Sequence, residues 1–276
     1  MAEALQTGLL SAEEAVQQAS SLSTPNGLRY ATLGRLDGPN TSAGELQHLV
    51  GAVPAGLARG LERHLYLFVP LALSAARLKS DDAQAFSEND ETLIASAYSG
   101  ALADKAICHR NARVGDTEYV FLSSRLHADR FALAFEFCIN VAHNFVDTTG
   151  CPAEFAALVW KQVTAGVRGE TSIDAWEERA AALGQPATDG LAKDPALVHS
   201  GRVNEKARTD YETTAFADAL AIYLLSLTLD FEYADLRERE YPLLTAPALA
   251  ERLRAINRLF PPNDGYQFQI LYRKRM

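Results

Sequence analysis

Apolar positions recur at helical spacing along most of the chain, and polar residues mark where several helices begin. Ser11 and Glu14 have the spacing of a capping box, which predicts a short helix over about 12–20. Periodicity and caps predict the remaining helices in the same way. These cover 43 to a break near Pro54, 55–79 with a bend at Pro70, 88–104 capped by Ser87, 128–147, 152–166, 173–183, 210–229 and 246–259.

Strand patterns are fewer and shorter than helix patterns. The segment RVGDTEYVFLSS, 113–124, joins a Gly-Asp turn to a run of aromatic and β-branched residues, which predicts a strand. Weaker alternation predicts strands at 105–109 and in the C-terminal YQFQILYRK. The expected fold class is therefore α+β, mostly α-helical with a small sheet. We expect an N-terminal helical region over 1–80 and a helical α+β domain over 81–276, or one domain overall.

Composition narrows the classes of partner. The 276 residues are 48% hydrophobic and 22% charged, which is typical of a globular protein. The net charge of -9 argues against nucleic acid as the main partner, because phosphate binding needs clustered cations. The three cysteines have no CxxC spacing, which favours a reducing cytoplasm, and the longest apolar run is too short to span a membrane. A protein partner remains open, as does the oligomeric state.

Two helices carry polar seams that could bind a metal ion. Within DRFALAFEFCINVAHNFVD, 129–147, Glu136, His143 and Asp147 fall on one face of an otherwise apolar helix. On the helix predicted over 210–229, Asp210 and Asp218 line a second seam. If the seams faced each other, these side chains would form an oxygen-rich site for a divalent cation.

The acids of the second helix also have an explanation that needs no metal. Thr209 and Glu212 have capping-box spacing, and Asp210 would lie in a first turn, where the helix dipole favours an acid. Asp218 falls in the middle of an apolar helix and needs a partner. The helix predicted over 128–147 can also be a core helix whose polar face is exposed or hydrogen-bonded.

Two segments together resemble the ImmA/IrrE-type metallopeptidases of the zincin superfamily. YVFLSSRLHADRFALAFEFCI is similar to that family's strand, short loop and helix with the pattern R-F-T-L-A-H-E-x-x-H, and DYETTAFADALA is similar to its second motif, E-x-E-A-N-x-F-A-x-x-L. The resemblance implies a zincin-like core of helices with a small sheet. It also implies a regulatory protein, since members of the family cut or otherwise control repressors.

The metal positions of this pattern are altered. Where the family has its two zinc-binding histidines, this chain has Phe135 and Ile139, and where the family has its third ligand, a Glu, it has Asp210. Only Glu136, at the position of the family's general base, is retained. The resemblance therefore implies a zincin-like protein without peptidase chemistry, which acts by binding a protein or ligand and needs no cofactor.

Two alternatives stay open. A second register, with His143 and Asp147 in the outline of H-E-x-x-H, would make the protein a metal-dependent hydrolase that binds zinc or a similar divalent metal. In that hydrolase His143, Asp147 and Asp210 bind the metal, while Glu136 or Asp218 transfers the proton. The other alternative is a structural helical interaction protein unrelated to zincins.

Overall fold

The protein comprises two compact units, each with its own core. The computed structural model describes residues 8–34, 42–79, 90–127, 129–184, 203–236 and 241–270. The units are Met1–Asn140 and Val141–Met276, so the division falls within one long helix, Arg130–Thr149. The boundary expected near residue 80 lies outside the described residues.

The first unit contains two small sheets. One is antiparallel, with strand order β1-β6-β5-β7, and the other is mixed, with strand order β2-β3-β4-β9-β8. In the mixed sheet β3, β4 and β9 are parallel, whereas β2 and β8 are antiparallel edge strands. In chain order, β1 to β9 are Leu9–Ser11, Ser20–Ser23, Arg29–Thr32, His64–Val69, Leu71–Ser74, Thr92–Ala95, Ala106–Ile107, His109–Val114 and Thr117–Ser123.

The helices of the first unit are short, apart from the last. Ser11 caps α1 with the predicted capping box, since its hydroxyl accepts from Glu14 N and the Glu14 carboxylate accepts from Ser11 N. A core cluster that includes Leu67, Val69 and Phe121 lies between elements of the two sheets. Helices α1 to α6 are Ala12–Gln18, Ala43–Gly51, Ala55–Ala58, Ala75–Lys79, Gly100–Ala103 and Arg130–Thr149, and Arg59–Leu61 is a 3-10 turn.

Two predicted helices of the first unit are wrong. The middle of 55–79 forms β4 and β5, which are separated by Pro70 and belong to different sheets, and only the two ends of the segment are helical. Almost every residue of these strands is buried, so the run lacks the polar alternation that identifies a half-exposed strand. The helix predicted over 88–104 is replaced by β6 and the short α5, and its expected cap, Ser87, lies outside the described residues.

The strand predicted over 113–124 is confirmed. It contains β9, which follows a turn at Gly115 (φ 61°) and forms a hairpin with β8 in which Val114 pairs with Thr117. Strand β9 lies beside the buried β4, with Leu67 opposite Phe121. The strand predicted at 105–109 is also present, as β7 and the start of β8. No strand forms over 266–270 of the C-terminal segment, and the rest of that segment lies outside the described residues.

The second unit is helical in its described part. Helix α9 packs against α7, α8 and α10, and Phe155 meets Phe216 with ring centroids 4.9 Å apart. These helices agree with the predicted ones except that α9 begins earlier than expected. The whole fold is mixed, with more helix than strand. Helices α7 to α10 are Ala153–Thr164, Ile173–Ala182, Glu205–Ser226 and Ala246–Leu259, and Tyr233–Leu236 is a 3-10 turn.

Candidate functional site

Glu136 lies on α6 within the first unit, where the helix packs by its apolar face. Phe137, the next residue, is fully buried and contacts Tyr66 of β4 edge to face, with ring centroids 5.3 Å apart. This contact anchors α6 on the mixed sheet through aromatic packing. The Glu136 side chain is left 18% exposed, so it is partly removed from water without being sealed in the core.

Two side chains hold the Glu136 carboxylate. His109 Nδ1 lies 2.6 Å from Glu136 Oε1, and because a carboxylate only accepts, Nδ1 carries the proton. Asn140 Nδ2 donates to the same oxygen at 3.1 Å from the next turn of α6. Burial would raise the pKa of Glu136, but the hydrogen bond from His109 and the positive charges that His109 and His127 carry when they are protonated hold this pKa below its usual value. Glu136 is therefore a fixed, ionised carboxylate.

Cys108 and His127 complete a cluster around Glu136. Cys108 lies between β7 and β8, and its carbonyl accepts from Ser123 N at 2.9 Å, at the end of β9. The chain then runs from β9 through His127 into α6. Strand pairing thus places the Cys108 thiol near the end of β9, and His127 follows β9 a few residues later in the chain. The Cys108 sulfur, a ring nitrogen of His127 and a carboxylate oxygen of Glu136 all lie within 4.8 Å of one another.

The His127 ring has an unsatisfied nitrogen. Nε2 is buried and has no hydrogen-bond partner among the described residues. Burying such a group unpaired destabilises a fold by about 1–3 kcal/mol. Burial also lowers the pKa of His127, against the opposing carboxylates of Glu136 and Asp129, so the ring is neutral at neutral pH. A neutral ring nitrogen without a partner can bind a metal ion.

The Cys108 thiol is protonated in the absence of a ligand. Partial desolvation and the Glu136 charge raise its pKa, while Arg77 opposes them. Sulfur, imidazole nitrogen and carboxylate oxygen together are a ligand set that suits zinc. Among the described residues, this is the only group of three or more Cys, His, Asp or Glu side chains whose ligand atoms converge in this way.

The other predicted site residues lie in the second unit. His143 and Asp147 on α6 and Asp210 on α9 are exposed. Asp218 accepts from Thr171 Oγ1 at 2.8 Å, which identifies the partner that its apolar helix requires. Burial raises the pKa of Asp218, while hydrogen bonds from Ser172 and Thr171 and the charge of His143 oppose the rise. The metal-binding role of these four residues stays a prediction.

The capping explanation for the acids of α9 is wrong. The helix begins at Glu205 and is capped by Asn204, whose side chain accepts from Ala207 N, so Thr209 lies in the second turn. Glu212 instead pairs with Arg208 at 2.8 Å. Asp210 therefore does not lie in the first turn of α9, so the helix dipole does not explain an acid at this position.

The cluster at Glu136 is not predicted by any motif in the sequence. Cys108 lies between β7 and β8, 28 residues before Glu136 in the chain, and only tertiary structure brings its thiol to the cluster. His109 is not among the predicted site residues, although it begins β8, the strand paired with the predicted one. A usable signal was present in LHADRF, 126–131, where a histidine immediately precedes the helix that carries a solitary acid.

The second unit holds a different carboxylate, Glu170, fully buried just before α8. Arg252 Nη1 donates to Glu170 Oε2 at 2.9 Å, and Arg179 Nη1 donates to Oε1 at 3.1 Å. The hydroxyl of Tyr211 donates to Oε1 at 2.6 Å. Both oxygens of Glu170 are therefore satisfied by side chains that are themselves buried, and the network joins α8, α9 and α10.

Comparisons with known proteins return no relative. No protein-family model, curated protein or solved structure matches the chain. Among the described residues, no helix combines the length and apolar character needed to cross a membrane.

Proposed function

We propose that this protein is a catalytically degenerate zincin-like protein that acts by binding a protein or ligand, with a regulatory role. The proposal is based mainly on the residues that surround Glu136 on α6. Both histidine positions of the zincin pattern hold apolar side chains, Phe135 and Ile139, so no metal ion can bind beside the acid in the manner of a peptidase.

The packing around Glu136 supports a change of role. Phe135 stacks on Phe131, with ring centroids 5.9 Å apart and planes inclined by 16°, so this position now serves aromatic packing. A general base works best when its pKa lies near the operating pH, whereas the pKa of Glu136 is held below its usual value. Glu136 is thus a poor base and a well-positioned acceptor.

A peptidase assay on the full chain tests the proposal. Zinc-loaded protein is incubated with a mixed peptide library, alongside the Glu136→Gln variant and the double variant Phe135→His/Ile139→His. We expect no cleavage that depends on Glu136. Cleavage by the wild-type protein that disappears in Glu136→Gln would overturn the proposal.

The metal-dependent hydrolase remains a second candidate because the charge of His143 acts on Asp218 within the second unit. It predicts hydrolysis that is lost in His143→Ala and unaffected by Phe135→His/Ile139→His. The same assay therefore separates the two candidates.

A further inference from the structure

We propose that Cys108, His127 and Glu136 form a binding site for a divalent transition-metal ion, zinc above all. The site differs from the one that the zincin resemblance implies, because Cys108 lies outside both similar segments and His127 precedes the helix that carries Glu136. It uses Glu136 as a ligand, not as a base. The proposal rests on geometry within the first unit and does not depend on the zincin resemblance.

The first argument is convergence from separate parts of the chain. Cys108 precedes β8, His127 follows β9, and Glu136 lies on α6, yet their ligand atoms lie within 4.8 Å of one another. Small side-chain rotations close such a cluster around an ion, since zinc binds sulfur at about 2.3 Å and nitrogen or oxygen at about 2.0–2.2 Å. The backbone hydrogen bond from Ser123 N to the Cys108 carbonyl, 2.9 Å, fixes the segment that carries the thiol.

The second argument is the unpartnered Nε2 of His127. A buried ring nitrogen normally finds a hydrogen-bond partner, and this one has none among the described residues. The Glu136 carboxylate beside it is already held by His109 and Asn140. A metal ion would satisfy the ring nitrogen and the thiolate at the same time.

The ligand types select the class of metal. Calcium and magnesium bind oxygen donors, whereas a thiolate and an imidazole favour zinc and its transition-metal neighbours. Three protein ligands leave a coordination position for water or for a donor from a bound partner. His109, which donates to Glu136, acts as a positioning residue that orients the carboxylate behind the ion.

Binding must release a proton. A cysteine binds a metal ion as the thiolate, so the Cys108 thiol gives up its proton when the ion binds. The affinity for zinc therefore rises with pH until the pH exceeds the pKa of the free Cys108 thiol.

Optical titration with cobalt(II) tests the site directly. The full chain is stripped with a chelator, kept reduced and titrated with cobalt(II), which gives a thiolate-to-metal charge-transfer band only when a cysteine binds the ion. Zinc affinity is then measured by competition with a chromogenic chelator. The variants are Cys108→Ser, His127→Ala and Glu136→Gln, with Cys151→Ser and His143→Ala as matched controls outside the cluster.

We expect the wild-type protein and both controls to bind one ion per chain with the charge-transfer band. Cys108→Ser should lose the band, and each cluster variant should lose at least about 10-fold in zinc affinity, as even outer residues of metal sites do. Circular dichroism shows that each variant is folded. Absence of binding in the wild-type protein, an unchanged band in Cys108→Ser, or loss of binding in His143→Ala would overturn the proposal. None of these outcomes bears on the peptidase assay.

Discussion

Glu136 and Glu170 are both glutamates withdrawn from water, one in each unit, but their neighbours differ in kind. Glu170 is fully buried and accepts from Arg179, Arg252 and Tyr211, so its charge and both oxygens are matched by fixed donors. Glu136 is partly exposed, and both of its side-chain hydrogen bonds are made to Oε1. Around it stand a thiol and an imidazole.

The difference separates a structural carboxylate from one available to a ligand. The partners of Glu170 are permanent cations and a hydroxyl, which leave nothing for an added ion to bind. The neighbours of Glu136 include a protonated thiol and a ring nitrogen without a hydrogen-bond partner in the described part of the chain. A carboxylate among fixed donors stabilises a fold, whereas a carboxylate among metal-binding groups indicates a site.

The largest expected effect is on stability at Glu170. In Glu170→Gln, the Arg252 and Arg179 guanidinium groups lose their buried counter-charge, so we expect the free energy of unfolding to fall by about 3–5 kcal/mol. Urea denaturation measures it. The matched control is Glu154→Gln, which removes an exposed pair with Arg258 (3.6 Å) and should change stability by about 0–1 kcal/mol. Equal losses of stability in the two variants would contradict the structural role of Glu170.

The next effect is stabilisation by zinc. A ligand at about 100 times its dissociation constant adds about 2.7 kcal/mol to the free energy of unfolding. Thermal unfolding with and without zinc should show this gain in the wild-type protein and in Glu154→Gln, but not in Glu136→Gln. A gain of the same size in Glu136→Gln would show that zinc binds elsewhere.

A smaller effect is expected at His109, which positions Glu136 without binding the ion. His109→Ala should weaken zinc binding by about 10–100-fold while keeping the cobalt charge-transfer band, because the thiolate ligand remains. Chelator competition gives the affinity. If His109→Ala lost the band as well, His109 would be needed to form the site, and the positioning role would be wrong.

The smallest effect is the pH dependence that Glu136 adds to stability in the absence of metal. Its folded pKa lies below 4.5, the ordinary pKa of a glutamate, so the stabilisation is complete above that value and is lost as pH falls through the folded pKa. Wild-type and Glu136→Gln proteins should therefore converge in stability on acidification. If the stabilities of the two proteins changed in parallel with pH, His109 and Asn140 would not favour the ionised form of Glu136.

The elements that could be predicted from sequence are those with strong local signals. The Ser11 capping box, the hairpin around Gly115 and the long helix at Arg130–Thr149 each carry their own pattern. Strands β4 and β5 were read as helix because a continuous apolar run has the same composition in a buried helix and in a buried strand. Local pattern cannot distinguish the two.

The site could be predicted only in part. Glu136 was predicted from its place on the polar face of the helix. Cys108 and His109 join it only through the pairing of β8 with β9 and the packing of α6 on the sheet, contacts that no local pattern encodes, whereas His127 is close to Glu136 along the chain. His143 and Asp147 drew notice by helical spacing, although both are exposed.

The zinc content of the purified protein tests the central claim, that Glu136 is a ligand, most directly. Wild-type, Glu136→Gln and His143→Ala proteins are produced with added zinc and purified without chelator, and zinc per chain is measured by elemental mass spectrometry. We predict one zinc ion per chain in the wild-type and His143→Ala proteins and a large loss in Glu136→Gln. Zinc that is kept in Glu136→Gln and lost in His143→Ala would contradict the account.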